Sequence, residues 1–285
     1  MSSQEKQEKL VSIGMPTYNR GYWIREALDS LLSQTYKNFE LIISDNASTD
    51  NTAEICKEYL KKDKRIKYIR QKEKIGAEEN FSFVLKESKG EYFMWASDDD
   101  IWDRKFVEKC VEKLNKDKGA IMAFTGVIAI DEKRNYLRYF FPQKFFPTDK
   151  DIYLRLKKYL LFYHHDGKAN LIYGLWRRER ILNNNLKKHW AADVGYVFRN
   201  LIEGNFLLVD EFLFYKRINP KFQKRNFFSK LYHGIGKRVL YFFSLCLFCY
   251  FPIIINSKKI IFKNKIKLII YIFLTIFRSF IKRYI

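Results

Sequence analysis

The chain has 285 residues, 47% of them apolar, ample for one large packed domain or for a domain of about 220 residues with an appendage. Its four cysteines, Cys56, Cys110, Cys246 and Cys249, are scattered, which argues against a disulfide framework and fits a reducing compartment. The net charge of +21 is uneven, because 16 of the 53 Lys/Arg and none of the 32 Asp/Glu follow Glu211. A nearly balanced domain with a strongly basic tail is expected.

Met1 to Lys9 is polar and charged and lacks the apolar segment of a signal peptide, so the bulk of the protein is expected in the cytoplasm. Val11–Met15 reads as a strand. Trp23–Ser33 then has helical spacing, with Ile24, Ala27, Leu28, Leu31 and Leu32 on one face. A second strand follows at Phe39–Ser44 and a second helix at Thr52–Lys62, where Asn51 and Glu54 are spaced as a capping box. Ile66–Arg70 and Tyr92–Ala96 are further strands, with a helix at Asn80–Ser88 between them. The alternation continues through a helix at Phe106–Leu114 and a strand at Ala120–Ile130, then loosens into aromatic-rich stretches up to about Tyr163. Another helix is expected at Val194–Ile202. Strands and helices alternating at this pitch predict an α/β fold with a mainly parallel sheet and right-handed crossovers.

Tyr92–Ala96 runs directly through Ser97 into Asp98, Asp99 and Asp100. Three acids leaving a buried strand repel one another, and such a cluster persists when a cation shares it. Asp98 and Asp100, two apart on extended backbone, present their carboxylates to one side and suit a hard divalent ion completed by a phosphate-bearing substrate. A solvated acidic turn is the alternative. Open α/β sheets bind ligands at the carboxyl ends of their strands, which here collects Pro16-Thr17-Tyr18-Asn19, Asp45-Asn46, Gln71-Lys72 and the three acids. No glycine-rich phosphate loop follows the first strand.

Val11–Asn19 (VSIGMPTYN), Leu41–Asp50 (LIISDNASTD), Gly76 with Asn80, and Ser97–Asp100 (SDDD) together resemble family 2 glycosyltransferases of the GT-A fold. The resemblance is carried by about 100 residues and continues more weakly to Arg217. It implies a Rossmann-like GT-A domain over residues 1–220, with a nucleotide-sugar-binding half (10–130) and an acceptor half (131–220). It also implies a nucleotide-sugar donor and Mg2+ or Mn2+. Pro16, Thr17 and Tyr18 match the loop that walls the base and ribose. Asp45 matches the acid that accepts from a uracil or thymine N3–H. Asp98 matches the ribose-side acid of the D-x-D motif and a second metal contact, Asp99 its spacer on the donor side, and Asp100 the direct metal ligand. As bare residues, Asp45 also suits a turn cap and Tyr18 core packing. Asn46 and Lys74 depart from the residue types the family often has near the base.

Inverting transfer needs a base for the acceptor hydroxyl. Trp190–Tyr196, with Gly204 and Val209–Arg217, resembles the acceptor segment, and its base maps onto Asp193, which is preceded by Ala192. Helix-opening charge is the other reading of Asp193. Arg217 suits either the donor diphosphate or the start of the basic tail. His164-His165-Asp166 and His189 read as loop and surface residues, and Tyr173–Arg178 resembles the acceptor-side glycine strand. The Q-x-x-R-W motif of processive synthases is absent after Asp193, so transfer of one sugar is expected, to a saccharide acceptor that family context makes lipid-linked, in cell-surface glycan synthesis.

The tail, residues 221–285, holds two apolar stretches. Val239–Ser257 is uncharged but interrupted by Pro252, and its apolar part would cover about 25 Å against a hydrocarbon core of roughly 30 Å. In the second, Lys263, Lys267, Tyr271, Thr275, Arg278 and Lys282 form a polar stripe on an otherwise apolar helix. The pattern predicts a monotopic anchor from about Phe222, on an anionic membrane surface at the cytoplasmic face, with a shallow helical hairpin or a helix pair packed on the domain as the alternatives. Nucleic acid is not the expected partner, because the basic residues flank Ile/Leu/Phe runs rather than polar and stacking groups. A nucleotidyltransferase and a non-catalytic nucleic-acid or membrane-binding protein are the competing functions. The former should carry a basic glycine loop after the first strand, where this chain has Gly14–Tyr18. Cys246-x-x-Cys249 lies inside an apolar run and is not read as a metal or redox pair.

Overall fold

A computed structural model describes residues 8–140, 146–161, 168–184, 192–218 and 250–284. The first half alternates as its sequence requires: β1 (Val11–Thr17), α1 (Ile24–Leu32), β2 (Phe39–Asp45), α2 (Thr52–Lys62), β3 (Ile66–Arg70), α3 (Ala77–Glu87) and β4 (Tyr92–Trp95). Every residue of β1 and of β4 is buried, as expected of strands covered on both faces. These four strands pair in parallel in the order β3-β2-β1-β4. At Gly14 a Cβ would come within 2.8 Å of Phe93 and Val84, so only glycine lets α3 settle this closely on the sheet.

The second half is mixed. β5 (Ile101–Trp102), α4 (Phe106–Lys116), β6 (Met122–Ile130), β7 (Tyr136–Phe140), α5 (Ile152–Leu161) and a 3-10 segment (Lys168–Tyr173) come first. β8 (Leu175–Arg177), α6 (Arg178–Ile181), α7 (Ala192–Asn200) and β9 (Phe206–Arg217) complete it. β8 joins β4 to β6 with antiparallel pairs on both sides, β9 lies parallel to β6, and the short β5 pairs antiparallel with β9. The α/β expectation holds, with the all-parallel arrangement confined to the first four strands.

Local signals differ in two places. Asn51 makes no capping hydrogen bond; Asp50 instead accepts from both the amide and the hydroxyl of Thr52, at 3.0 and 2.5 Å. α3 begins at Ala77 rather than Asn80, because the Glu79 carboxylate takes the Gly76 N–H at 2.5 Å and stabilises an earlier first turn. Cys56 and Cys110 are free and buried, while Cys246 and Cys249 lie outside the described residues.

Aromatic packing ties the two halves together. Trp95, the last residue of β4, stands edge-on to Tyr196 of α7 at 5.4 Å, and Tyr196 also meets Trp176 of β8 at 6.1 Å. The strand that leads to the acids and the helix that carries Asp193 are thus braced by one buried ring. The tail helices α8 (Phe251–Asn256) and α9 (Phe262–Tyr284) pack back on the domain, burying Tyr250, Ile254, Ile260, Leu268 and Ile272. Tyr250 meets Phe198 of α7 at 4.6 Å, and Lys157 of α5 sits 5.2 Å from the Tyr271 ring centre. Among the described residues no helix is long and apolar enough to cross a membrane. Tyr196→Ala should lower unfolding stability by about 3–5 kcal/mol in urea titrations, the cost of emptying an aromatic core site; a loss under about 1 kcal/mol would place the brace elsewhere.

Candidate active site

Pro16 and Thr17 close β1 directly beside Ser44 and Asp45 of β2. Tyr18 follows, half-buried, with the Lys74 ammonium 4.1 Å from its ring centre. Asp45 is completely buried. Its Oδ1 accepts the Ser48 N–H at 2.8 Å, and its Oδ2 accepts the Tyr68 hydroxyl at 2.8 Å and the Arg70 guanidinium at 3.0 Å. It therefore caps its own turn and also anchors Arg70, whose side chain is 42% exposed and the outermost of the three partners. The turn is stitched to the loop after β1. Asn19, at φ 53°, donates its N–H to Ser48, Arg20 to Thr52 and Gly21 to Asp50, over 2.8–3.0 Å.

The Asn46 amide donates to the Ile75 carbonyl at 2.9 Å and accepts the Ile75 N–H at 2.8 Å. A carboxylate could accept but not donate there, so asparagine at this position holds the loop that leads into α3. Asn80 does the equivalent from the other side, bonding the hydroxyl and carbonyl of Ser44.

The acids follow from strand pairing. Ile101 pairs with Tyr215 across the short antiparallel β5–β9 ladder, which brings the acids just before Ile101 to the end of β9. Lys216 Nζ lies 2.9 Å from Asp100 Oδ2, and the Arg217 N–H donates to Asp100 Oδ1 at 2.8 Å. Burial pushes Asp100 up to about 6 against the opposing charge of Lys216. Burial works against the charge on Lys216 as well, but Asp100, Tyr173 and Asp99 outweigh it and hold the ammonium above its usual range. Asp98, also buried, receives Arg20 Nε at 3.2 Å and is pushed up to about 6 by burial and then by Asp99. Asp99 is half-buried and accepts from the Ser97 hydroxyl.

Arg217 turns away from the acids' carboxylates. Its side chain is 3% exposed and its guanidinium donates to the Asp99, Asp131 and Glu132 carbonyls and to Glu26, while its plane lies 4.2 Å from the Trp23 ring centre. This placement does not support the expected approach of Arg217 to a diphosphate; its donors lock β9 against α1 and the acidic loop.

Asp193 lies in the first turn of α7, half-buried, with its Oδ1 accepting the Val194 N–H at 2.7 Å. Burial raises its pKa, and Lys216 draws it partly back. Tyr173 lies under Lys216, ring centre 5.6 Å from Nζ, within the fields of Asp100, Asp99 and Asp193. Asp193 thus feels the charge of the ammonium that Asp100 binds directly. His164–Asp166 and His189 lie outside the described residues.

No group of three or more His, Cys, Asp or Glu among the described residues is placed to hold a metal ion. Asp98 and Asp100 still provide the one or two carboxylates that Mg2+ takes when substrate phosphates and waters complete its shell. Beside Asp98, the buried Thr17 Oγ1 makes no hydrogen bond of ordinary length. The ammonium seated on Asp100 marks a spot that already favours positive charge. This oxygen donor set fits a hard divalent cation.

The sequence model of Glycosyl transferase family 2 matches residues 12–173, more than half the chain. The chain is a family 2 glycosyltransferase. Among curated relatives it is 40% identical over 144 residues to an uncharacterised glycosyltransferase of Rickettsia felis, a match covering 50% of this chain and 23% of that protein. It is 33% identical over 108 residues to glycosyltransferase GlyG of Streptococcus pneumoniae, covering 38% of this chain and 36% of GlyG. An uncharacterised glycosyltransferase of Methanocaldococcus jannaschii matches more evenly, 28% identical over 75% of this chain and 72% of that one. The match thus spans well under half the length of the first two relatives. The fold resembles Staphylococcus aureus TarS residues 1–349 solved with UDP, with a TM-score of 0.63 and 16% identity over 90% of this chain and 68% of that one. It also resembles the mannosyltransferase PcManGT of Pyrobaculum calidifontis solved with GDP-Man and Mn2+, with a TM-score of 0.53 and 18% identity over 74% and 57%. The fold of this glycosyltransferase is GT-A.

Sequence reasoning missed Lys216, Arg20, Tyr68 and Arg70. Lys216 lies within Val209–Arg217, but its partner depends on a two-residue strand that no periodicity reveals. Asn46→Asp should cost this glycosyltransferase about 1–2 kcal/mol of stability in urea, because the Ile75 carbonyl loses its donor; an unchanged or raised stability would show that the amide pair contributes nothing.

Proposed function

We propose that the protein is an inverting glycosyltransferase that moves one sugar from a UDP- or dTDP-sugar to a saccharide acceptor carried on a lipid, in the making of a cell-surface glycan. The observation that carries the mechanism is the Asp100–Lys216 ion pair over the Tyr173 ring, with Asp193 in the first turn of α7 within the electrostatic reach of both. The buried Asp45 with the exposed Arg70 beside it supports the choice of base. A uracil or thymine edge offers one N–H flanked by carbonyls, which matches an acceptor carboxylate flanked by a guanidinium. Arg70, the outermost partner, turns toward a base carbonyl as the base N–H takes its place at Asp45. Pro16, Thr17 and Tyr18 wall the base and ribose, with Asp98 on the ribose side and Asp99 spacing the two metal-side acids.

Asp98 and Asp100 would hold Mg2+ or Mn2+, which when bound supplies Lewis-acid stabilisation of the departing diphosphate. The remaining work belongs to side chains. Lys216, at the same carboxylate, adds a positive charge that can turn to the leaving diphosphate. Asp193 removes the proton from the acceptor hydroxyl as the new bond forms, and burial, by raising its pKa, makes it a stronger base than a solvated carboxylate. The Trp95–Tyr196 contact keeps base and acids in one frame.

UDP-, dTDP- and GDP-sugars, tested with Mg2+, Mn2+ and chelator, decide the donor. Thermal stabilisation and turnover are expected with a UDP- or dTDP-sugar plus metal, and Asp100→Ala should remove the metal dependence; a response to GDP-sugars alone would overturn the assignment of the base. Asp193→Asn should lower kcat at least about 100-fold, the usual share of general-base catalysis, with donor KM unchanged. Turnover within about threefold of wild type would remove Asp193 from the mechanism.

A further inference from the structure

The tail does two things at once. One side of α9 docks on the domain, with Leu268 and Ile272 buried. The opposite side, about half a turn or roughly two residues out of phase, presents Phe262, Ile266, Ile270, Phe273 and Leu274, each between 42% and 77% exposed. The polar stripe expected to float at the surface is split by this packing. Lys267 lies 5.7 Å from the Tyr153 ring centre on α5, and Tyr271 lies under Lys157 of the same helix. Lys263 and Lys267 are left along the border of the apolar face, with Lys258 and Lys259 in the turn before it. The Lys259–Glu203 bridge and the Lys265 bond to the Ile255 carbonyl at 2.6 Å hold that turn in place.

We propose that this outward face of α9 is a membrane-docking surface that inserts into the headgroup region of an anionic leaflet. Five large apolar side chains at helical spacing on the solvent side are the pattern of a helix lying in a bilayer interface, and the bordering lysines suit anionic headgroups. The charge selects the occupant. Residues 212–285 hold no Asp or Glu, so a second copy meeting the face across a two-fold axis would set these lysines against their own kind. A lipid surface presents the complementary sign. Because α9 is seated on α5, the face is fixed to the domain, so insertion sets the orientation of the acceptor half as well as its distance from the bilayer. This inference stands independently of the glycosyl-transfer reading.

The full-length protein is tested by co-sedimentation with vesicles of phosphatidylglycerol and phosphatidylcholine, against phosphatidylcholine alone. Wild type should partition onto the anionic vesicles. The variant Ile266→Asn, Ile270→Asn, Leu274→Ser should partition at least tenfold less while keeping its unfolding temperature, which separates a lost docking face from a lost fold. Lys263→Gln with Lys267→Gln should weaken binding to anionic vesicles and flatten its salt dependence. Equal vesicle binding by wild type and the triple variant overturns the proposal. So does light scattering that shows the triple substitution dissolving a dimer while vesicle binding stays the same.

Discussion

Two carboxylates withdrawn from water at the end of one strand would destabilise any fold that left them uncompensated. Here the compensation is built into the backbone. The β5–β9 ladder brings Lys216 to Asp100 and the Arg217 amide to its second oxygen, so the acids that close β4 depend on a strand more than 100 residues away in sequence. From that pairing follow the position of Tyr173 beneath the ammonium, the charge felt by Asp193, and the closure of the acidic loop over α1 through Arg217 and Glu26. The two halves of the fold meet at this pairing and at the Trp95–Tyr196 contact.

The first half of the fold was legible because each strand there is a continuous apolar run and each helix has one apolar face. Both signals are local. The loops at Pro16–Asn19 and Asp45–Asp50 lie side by side at strand ends and satisfy many of their hydrogen bonds between themselves, whereas Asp100 takes its partners from distant β9. What escaped were quantities set by register and competition. Arg217 read equally well as a phosphate ligand or a tail residue, because a string of letters does not show that three carbonyls, a carboxylate and an indole face claim it. Asn51 read as a cap although Asp50, one residue earlier, has the better reach to Thr52. The amphipathic pattern of α9 was visible, but which arc faces the protein was decided by α5.

Asp45, the residue proposed to meet the nucleobase, is also a structural one. Its carboxylate closes a turn, holds Tyr68 and seats Arg70, so the group offered to a ligand is already oriented by three partners. Orientation established before binding lowers the ordering cost that binding must otherwise meet. Asn46 and Asn80 add to it from either side, each joining the end of β2 to the elements that follow β3.

Arg217 has a kinetic meaning beyond holding β9 in place. With its guanidinium committed to four acceptors, strand β9 cannot slide without breaking several bonds together. Lys216, one residue earlier and 27% exposed along its side chain, is tied only at its tip. It can therefore leave and regain Asp100 by rotation about its own side-chain bonds, without any rearrangement of the backbone. Exchange of positive charge at Asp100 is thus uncoupled from motions of the backbone, and arrival of a charged ligand need not wait for a loop.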